Sequence, residues 1–148
     1  EVTLAEEIGL LEEYLAIAET RFGDRLTIVR EIAPETGEAL IPYLVLQPLV
    51  ENALEHGIAR KAGAGTVSIR ALRDDGVLRV TVTDDGNGQS NGPAREGVGL
   101  GTTRGRLAEL YGGAAELTLA PGPGGGTVAT LSVPWHTEPA AVLPELVA

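Results

Sequence analysis

Two pairs of alternating segments commit this chain to a sheet. In "TVSIRAL" and "VLRVTVTDD", and again in "AELTLA" and "TVATLSV", apolar residues recur at every second position, the period that gathers them on one face of a strand. The first pair is separated by "RDDG" and the second by "PGPGGG", so each pair predicts a hairpin. A sheet with one apolar face has to be covered, and three helical stretches are available: residues 3–22, a segment within 42–58, and about 103–111. Arg25 to Ile32 adds a strand, followed by a turn-rich stretch over residues 33–39. The predicted class is α+β: a two-layer sandwich of one mixed, mostly antiparallel sheet with helices on one face, plus an N-terminal helix.

The first helix opens with Thr3 and Glu6 at capping-box spacing. Leu4, Ile8, Leu11, Leu15, Ala18 and Phe22 follow at steps of 4, 3, 4, 3 and 4, a heptad seam. That seam has two readings, packing on its own domain or pairing with another helix or a second subunit. Pro48 lacks an N–H and crowds the preceding turn, so the second helix is expected to kink or start late there. Glycines at the end of the third helix mark its stop. The proline-containing tail from Trp135 reads as a loosely docked extension or linker.

Charge narrows the partners. Eleven Lys and Arg against 21 Asp and Glu give a net charge of −10, with no basic stripe, which argues against nucleic acid. An anionic ligand would have to be held by backbone N–H groups, helix ends or a metal. Cysteine is absent, which excludes disulfides and thiolate metal sites. No apolar run reaches membrane-spanning length, so no membrane contact by this fragment is expected. The first residue is Glu, and the expectation is an excised piece of a longer protein.

Three motifs carry chemistry. In "TDDGNG", Asp84 stands at a strand end with Gly86 and Gly88 after it. This is either a plain turn or an acceptor for an exocyclic amino group beside backbone that a flat ring can approach. In "GVGLGTTRGRL", Gly97, Gly99 and Gly101 precede a helix whose N-terminal N–H groups suit an anion, with Arg104 and Arg106 in its first turns. In "QPLVENALEHG", Asn52 and His56 share a helix face, with Glu51 and Glu55 about 100° round from them. An Asn oxygen suits Mg²⁺, which keeps waters and takes other contacts from phosphates. Glu51 suits polarising water or a hydroxyl, and a solvated helix face is the bland alternative for each.

These motifs, in this order, resemble the ATP-binding domain of the GHKL superfamily, which comprises gyrase, Hsp90 chaperones, histidine kinases and MutL proteins. "LQPLVENALEHG" is similar to the N box, "DDGNG" to the G1 box, "GVGLG" to the G2 box and "GGGTVATLSVP" to the closing segment. "YLAIAETRFGDRL" and "RGRLAELYGG" resemble LytS-type sensor histidine kinases more closely. The resemblance implies the Bergerat-type fold, ATP and Mg²⁺ as ligands, and transfer of the γ-phosphoryl group to a histidine outside this fragment. The alternative is a regulatory module of the same fold, such as an anti-sigma-factor-like serine kinase.

Carried over by residue, it implies that Asn52 coordinates Mg²⁺, Asp84 recognises the adenine amino group, and Gly86, Gly88, Gly97, Gly99 and Leu100 shape the pocket and its lid. Thr127 lies near the base, Thr102 and Arg104 near the phosphates, and Glu51 and His56 are the candidate catalytic groups. The sequence departs from the pattern at Thr102, where close relatives have Asn, at Glu55, where many kinases have a basic residue, and at Pro48, where several branches place the catalytic acid. The implied organisation is residues 1–24 as the end of the dimerisation and histidine-transfer helices with a connector, 25–134 as the catalytic domain, and 135–148 as a tail. The implied partners are the dimerisation/histidine-transfer domain of the same protein, a response regulator served by the intact kinase, and a second copy in a homodimer. A cytoplasmic domain of a membrane-anchored protein is expected, with a lid over residues 89–96 closing on nucleotide.

Overall fold

The computed structural model describes residues 1–86 and 98–142. Its elements run β1 (Val2–Thr3), α1 (Leu4–Phe22), β2 (Leu26–Ile32), β3 (Leu40–Ile41), α2 (Gln47–Asn52), β4 (Gly65–Asp74), β5 (Val77–Asp84), α3 (Val98–Tyr111), β6 (Glu116–Pro121) and β7 (Thr127–Pro134). Five strands form one sheet in the order β2-β4-β5-β7-β6. Only the β2–β4 pair is parallel, because a helical segment rather than a tight turn connects those strands. In the β4–β5 hairpin Asp74 faces Val77, leaving Asp75–Gly76 as a two-residue turn. Asp75 has φ 55°, the left-handed conformation that such a turn demands and that Asp tolerates.

Alternation along β5 and β7 buries Leu78, Val80, Val82 and Asp84 beside Thr127, Ala129, Leu131 and Val133. The helices cover this face. On the other face Thr81, Thr130 and Thr118 stand in register, open to solvent to differing degrees. A two-layer α+β sandwich is therefore what the structure shows.

The α1 capping box forms as predicted: the Glu6 N–H donates to Thr3 Oγ1 at 3.1 Å and the Thr3 N–H to Glu6 Oε1 at 3.0 Å. The helix buries Leu4, Glu7, Leu11, Leu15, Ala18 and Phe22, with Ile8 only half covered. Leu11 and Leu15 pack with Ile32 of β2 and Ile69 of β4, so the seam is occupied within the chain itself. Any pairing of α1 with a second helix would have to use another face, where Ile17 is 69% exposed. Burying each leucine contributes roughly 2 kcal/mol, against a few tenths for exposed pairs such as Arg30–Glu12, so packing sets where α1 lies.

Two further expectations need correction. The third helix begins at Val98, not near Thr103, because Leu100 and Thr103 extend the buried face of Leu107 and Tyr111 and outweigh the weak helix propensity of Gly99 and Gly101. Arg104 and Arg106 thus lie beyond its first turn. The tail is docked over residues 135–142: the Trp135 N–H donates to Gly76 O, the Leu40 N–H to His136 O, and the Ala140 N–H to the Glu1 carboxylate. That carboxylate also accepts from the Tyr111 hydroxyl at 2.6 Å and meets the buried His136 ring at 2.5 Å. These contacts tie the tail to the start of the chain.

Candidate functional site

The helical segment after Leu46 starts late, with Pro48 in its first turn, where no N–H is needed. After Asn52 the backbone widens into a π-turn over Ala53–Gly57, in which Ile58 N–H reaches Ala53 O, and then tightens to a 3₁₀ turn, Ile58–Arg60. Such turns re-aim side chains and recur at functional positions. The Arg25 guanidinium closes the segment by donating to the carbonyls of Ile58, Lys61 and Gly63.

This geometry brings Pro48, Glu51, Asn52, Glu55 and His56 onto one cleft of about 200 Å³, with Gly99 and Leu100 of α3 as the opposite wall. All four of Glu51, Asn52, Glu55 and His56 line this cleft, so the two pairs that helical spacing sets about 100° apart share it. Glu55 is also tied to Arg21 of α1 by a salt bridge. The His56 Nδ1 is buried and has no hydrogen-bond partner among the described residues. Among the described residues the cleft's lining includes two carboxylates and neither Lys nor Arg, so an anion there is better accommodated with a cation beside it. Among the described residues no three His, Asp or Glu are grouped to hold a metal, so such a cation would take most of its ligands from the anion and water.

Asp84 ends β5 directly behind this segment. Its carboxylate is 2% exposed and accepts from the Gly86 N–H at 2.9 Å, with the Thr127 N–H also holding it. Burial, aided by the neighbouring Asp85, pushes it up to about 6, while those two N–H groups and Lys61 pull the other way. Gly57 lies against it: a Cβ there would stand 2.4 Å from Asp84 Oδ1, and one on Gly86 2.2 Å from the Gly57 carbonyl carbon. A Cβ on Gly126 would fall 1.8 Å from Asp84 O. Glycines thus cradle Asp84 from three directions, and only Gly86 of the three is among the site residues expected from the sequence. The "EHG" that ends the N-box-like motif was the signal for Gly57. Asp85 anchors the neighbouring strand end, accepting from the Thr66 N–H at 2.7 Å with Lys61 Nζ 3.5 Å away.

Thr127 is buried beside Asp84. Thr102 is exposed on α3 and is not among the cleft's lining residues. Arg104 is turned toward β6, where it donates to Leu117 O and lines a separate groove with Leu107 and Glu116. Gly88, Gly97 and the 89–96 segment lie outside the described residues.

Comparison with known proteins places the sequence in a family and the fold among solved structures. Residues 37–137 match the family described as histidine kinase-, DNA gyrase B-, and HSP90-like ATPase. The sensor histidine kinase BtsS of Escherichia coli K12 is 34% identical over 137 residues, covering 93% of this chain and 24% of BtsS. The sensor protein LytS of Staphylococcus haemolyticus is 34% identical over 148 residues, covering 92% of this chain and 25% of LytS. The chain thus spans about a quarter of the length of these relatives. Among solved structures, the Erythrobacter litoralis EL346 blue-light activated histidine kinase superposes with TM-score 0.61 at 24% identity, covering 84% of this chain and 40% of that one. The mycobacterial sensor histidine kinase MprB gives 0.63 at 16% identity, covering 87% and 95%. The fold is shared with both. With the family match covering residues 37–137, which hold the cleft and four of the five strands of the main sheet, the chain belongs to the histidine kinase-, DNA gyrase B- and HSP90-like ATPase family.

Proposed function

We propose that this chain binds Mg–ATP between α2 and α3 and, within its intact protein, presents the γ-phosphoryl group to a histidine outside residues 1–148. The observation that carries this reading is the convergence of Glu51, Asn52 and His56 with Gly99 and Leu100 on one cleft, with Asp84 immediately behind it. Asn52 is the Mg²⁺ ligand, and the bound ion offsets the charge of the phosphates beside Glu51 and Glu55. His56 meets a phosphate oxygen, and Glu51 orients the incoming acceptor. Asp84, ionised at neutral pH, accepts from the adenine amino group, with Thr127 beside the base. Because Gly57 and Gly86 cover that carboxylate, base entry requires their contact to open. Gly88 and Gly97 complete the loops around the nucleotide, and Thr102 and Arg104 are secondary phosphate contacts reached only by rearrangement from their present positions.

Phosphoryl transfer requires positioning and charge stabilisation more than covalent chemistry, which is what this donor set supplies. Residues 1–24 serve as the connector to a dimerisation and histidine-transfer domain, residues 25–134 as the catalytic unit and the remainder as a tail. A response regulator is the downstream acceptor of the intact protein. No helix among the described residues is long and apolar enough to cross a membrane, and a cytoplasmic site of action fits this reading. Isothermal titration with Mg–ATP and Mg–GTP tests it. Wild type should bind Mg–ATP and discriminate against GTP, whose ring carries an oxygen where adenine carries the amino group, and Asn52→Ala should abolish the Mg²⁺ dependence. Equal binding of both nucleotides would refute the Asp84 assignment.

A further inference from the structure

Glu7 is as deeply buried as Asp84, each 2% exposed, yet it lies in α1, outside the cleft. It occupies an inward position between Leu4 and Leu11, where the seam calls for an apolar residue. A carboxylate there must be fully hydrogen-bonded or it destabilises the core. Its partners are two backbone groups: the Leu44 N–H donates to Oε1 at 2.9 Å and the Leu46 N–H to Oε2 at 3.0 Å.

Both partners are set apart by their backbone. Leu44 has φ 58°, a left-handed conformation that a leucine adopts only when its surroundings impose it. Leu46 immediately precedes α2, and its carbonyl accepts from the Leu49 and Val50 N–H groups, both at 3.1 Å. A continuous chain of hydrogen bonds thus runs from α1 through Leu46 into the first turn of α2, whose next two residues are Glu51 and Asn52. Arg106 of α3 donates to Tyr43 O, so the segment before α2 is held both by α1 and by α3, the helix that forms one wall of the cleft.

We infer that Glu7 is a positioning residue of the nucleotide site, fixing the α2 turn that carries Asn52 and Glu51 through the backbone of Leu44 and Leu46. The inference rests on the ATP reading above. It makes a directional claim, because the hydrogen bonds that hold the two ends of the site are different ones, although Gly57 packs on Asp84. The phosphate end rides on α2, whereas Asp84 is fixed by the Gly86 and Thr127 N–H groups and by β5. Loss of Glu7 therefore loosens the phosphate end first and leaves the hydrogen bonds that hold Asp84 in place.

The test uses the 148-residue chain with two probes, Mg–ATP and adenosine, and two variants. Glu7→Gln keeps the shape and one acceptor, while Glu7→Leu completes the apolar seam and frees both N–H groups. Mg–ATP affinity should fall about fivefold in Glu7→Gln and further in Glu7→Leu, with adenosine affinity unchanged in both. Circular dichroism confirms folding, and if one variant fails to fold the other carries the comparison. Equal losses for both probes would mean a merely structural role, and unchanged Mg–ATP binding in both variants would mean none; either overturns the inference while leaving the ATP reading intact. A wild type that binds neither probe overturns the ATP reading and the role of Glu7 with it.

Discussion

Asp84→Asn should stabilise the nucleotide-free domain at neutral pH while weakening its hold on ATP. The Asp84 carboxyl is pushed up from its ordinary 3.8 to about 6, chiefly by burial. Between those values the folded chain holds a proton that the unfolded chain releases. The stability this group contributes is therefore complete below pH 3.8 and is lost as the pH rises through 6. The gap corresponds to about 3 kcal/mol by neutral pH, at roughly 1.36 kcal/mol per unit. Asparagine removes that cost because it never ionises. It also returns something, since its oxygen accepts from only one of the Gly86 and Thr127 N–H groups while its amide faces the other, a loss of about 1–2 kcal/mol. The variant should thus be less stable than wild type by about 1–2 kcal/mol near pH 4 and more stable by a similar amount at pH 7.5. Urea unfolding of both proteins across that range measures the difference directly, and other titrating groups cancel in the subtraction. Mg–ATP affinity of the variant should drop more than about tenfold at pH 7.5, as an interaction of about 1.4 kcal/mol or more is lost. A stability difference that does not change with pH would refute the claim that ionised Asp84 is held at a cost.

Three other substitutions probe the surroundings. Gly57→Ala drives a methyl group to 2.4 Å from Asp84 Oδ1, so it should lower stability by about 1–3 kcal/mol in urea titrations, and a neutral result would refute the close packing. Gly9→Ala fills open space on the exposed side of α1 and should raise stability by about 0.5–1 kcal/mol in thermal melts. Arg73→Ala removes the guanidinium 4.3 Å from the Trp135 ring; because Trp135 is the sole tryptophan, its emission should shift as the docked tail loosens, with a loss of about 0.5–1 kcal/mol, and an unchanged spectrum would count against the contact.

What the sequence made legible was whatever depends on near neighbours. The strands β4 to β7 were readable because each hairpin, with its two-residue period and its turn, lies within about twenty residues. Asn52 and His56 were readable as a pair because four residues return to the same face of a helix. The sharing of one cleft by Glu51 and Glu55 with that pair was not, since it depends on Gly99 and Leu100 of α3 standing opposite, which helical spacing does not announce. The start of α3 was hidden for a related reason: Gly99 and Gly101 argue against helix locally, and only burial of Leu100 and Thr103 against the rest of the fold reverses that. The choice between a docked tail and a linker was left open because the tail's partners, Gly76, Leu40 and Glu1, lie about 60 to 140 residues earlier in the chain.

Glu7 shows how such non-local information can still leave a local trace. The spacing of α1 admits two inward seams, one passing through Ile8 and one through Glu7, and hydrophobicity alone selects the first. The structure buries Glu7 and leaves Ile8 half covered, because the Leu44 and Leu46 N–H groups need an acceptor at that height on the helix and no other element supplies it among the described residues. An apolar residue in the same place would gain packing but orphan the buried Leu46 donor, a cost of about 1–3 kcal/mol, and the part-buried Leu44 donor beside it. A carboxylate set between the leucines of a seam is thus a signature of backbone that must be held from outside its own segment, and here that backbone leads directly into Asn52.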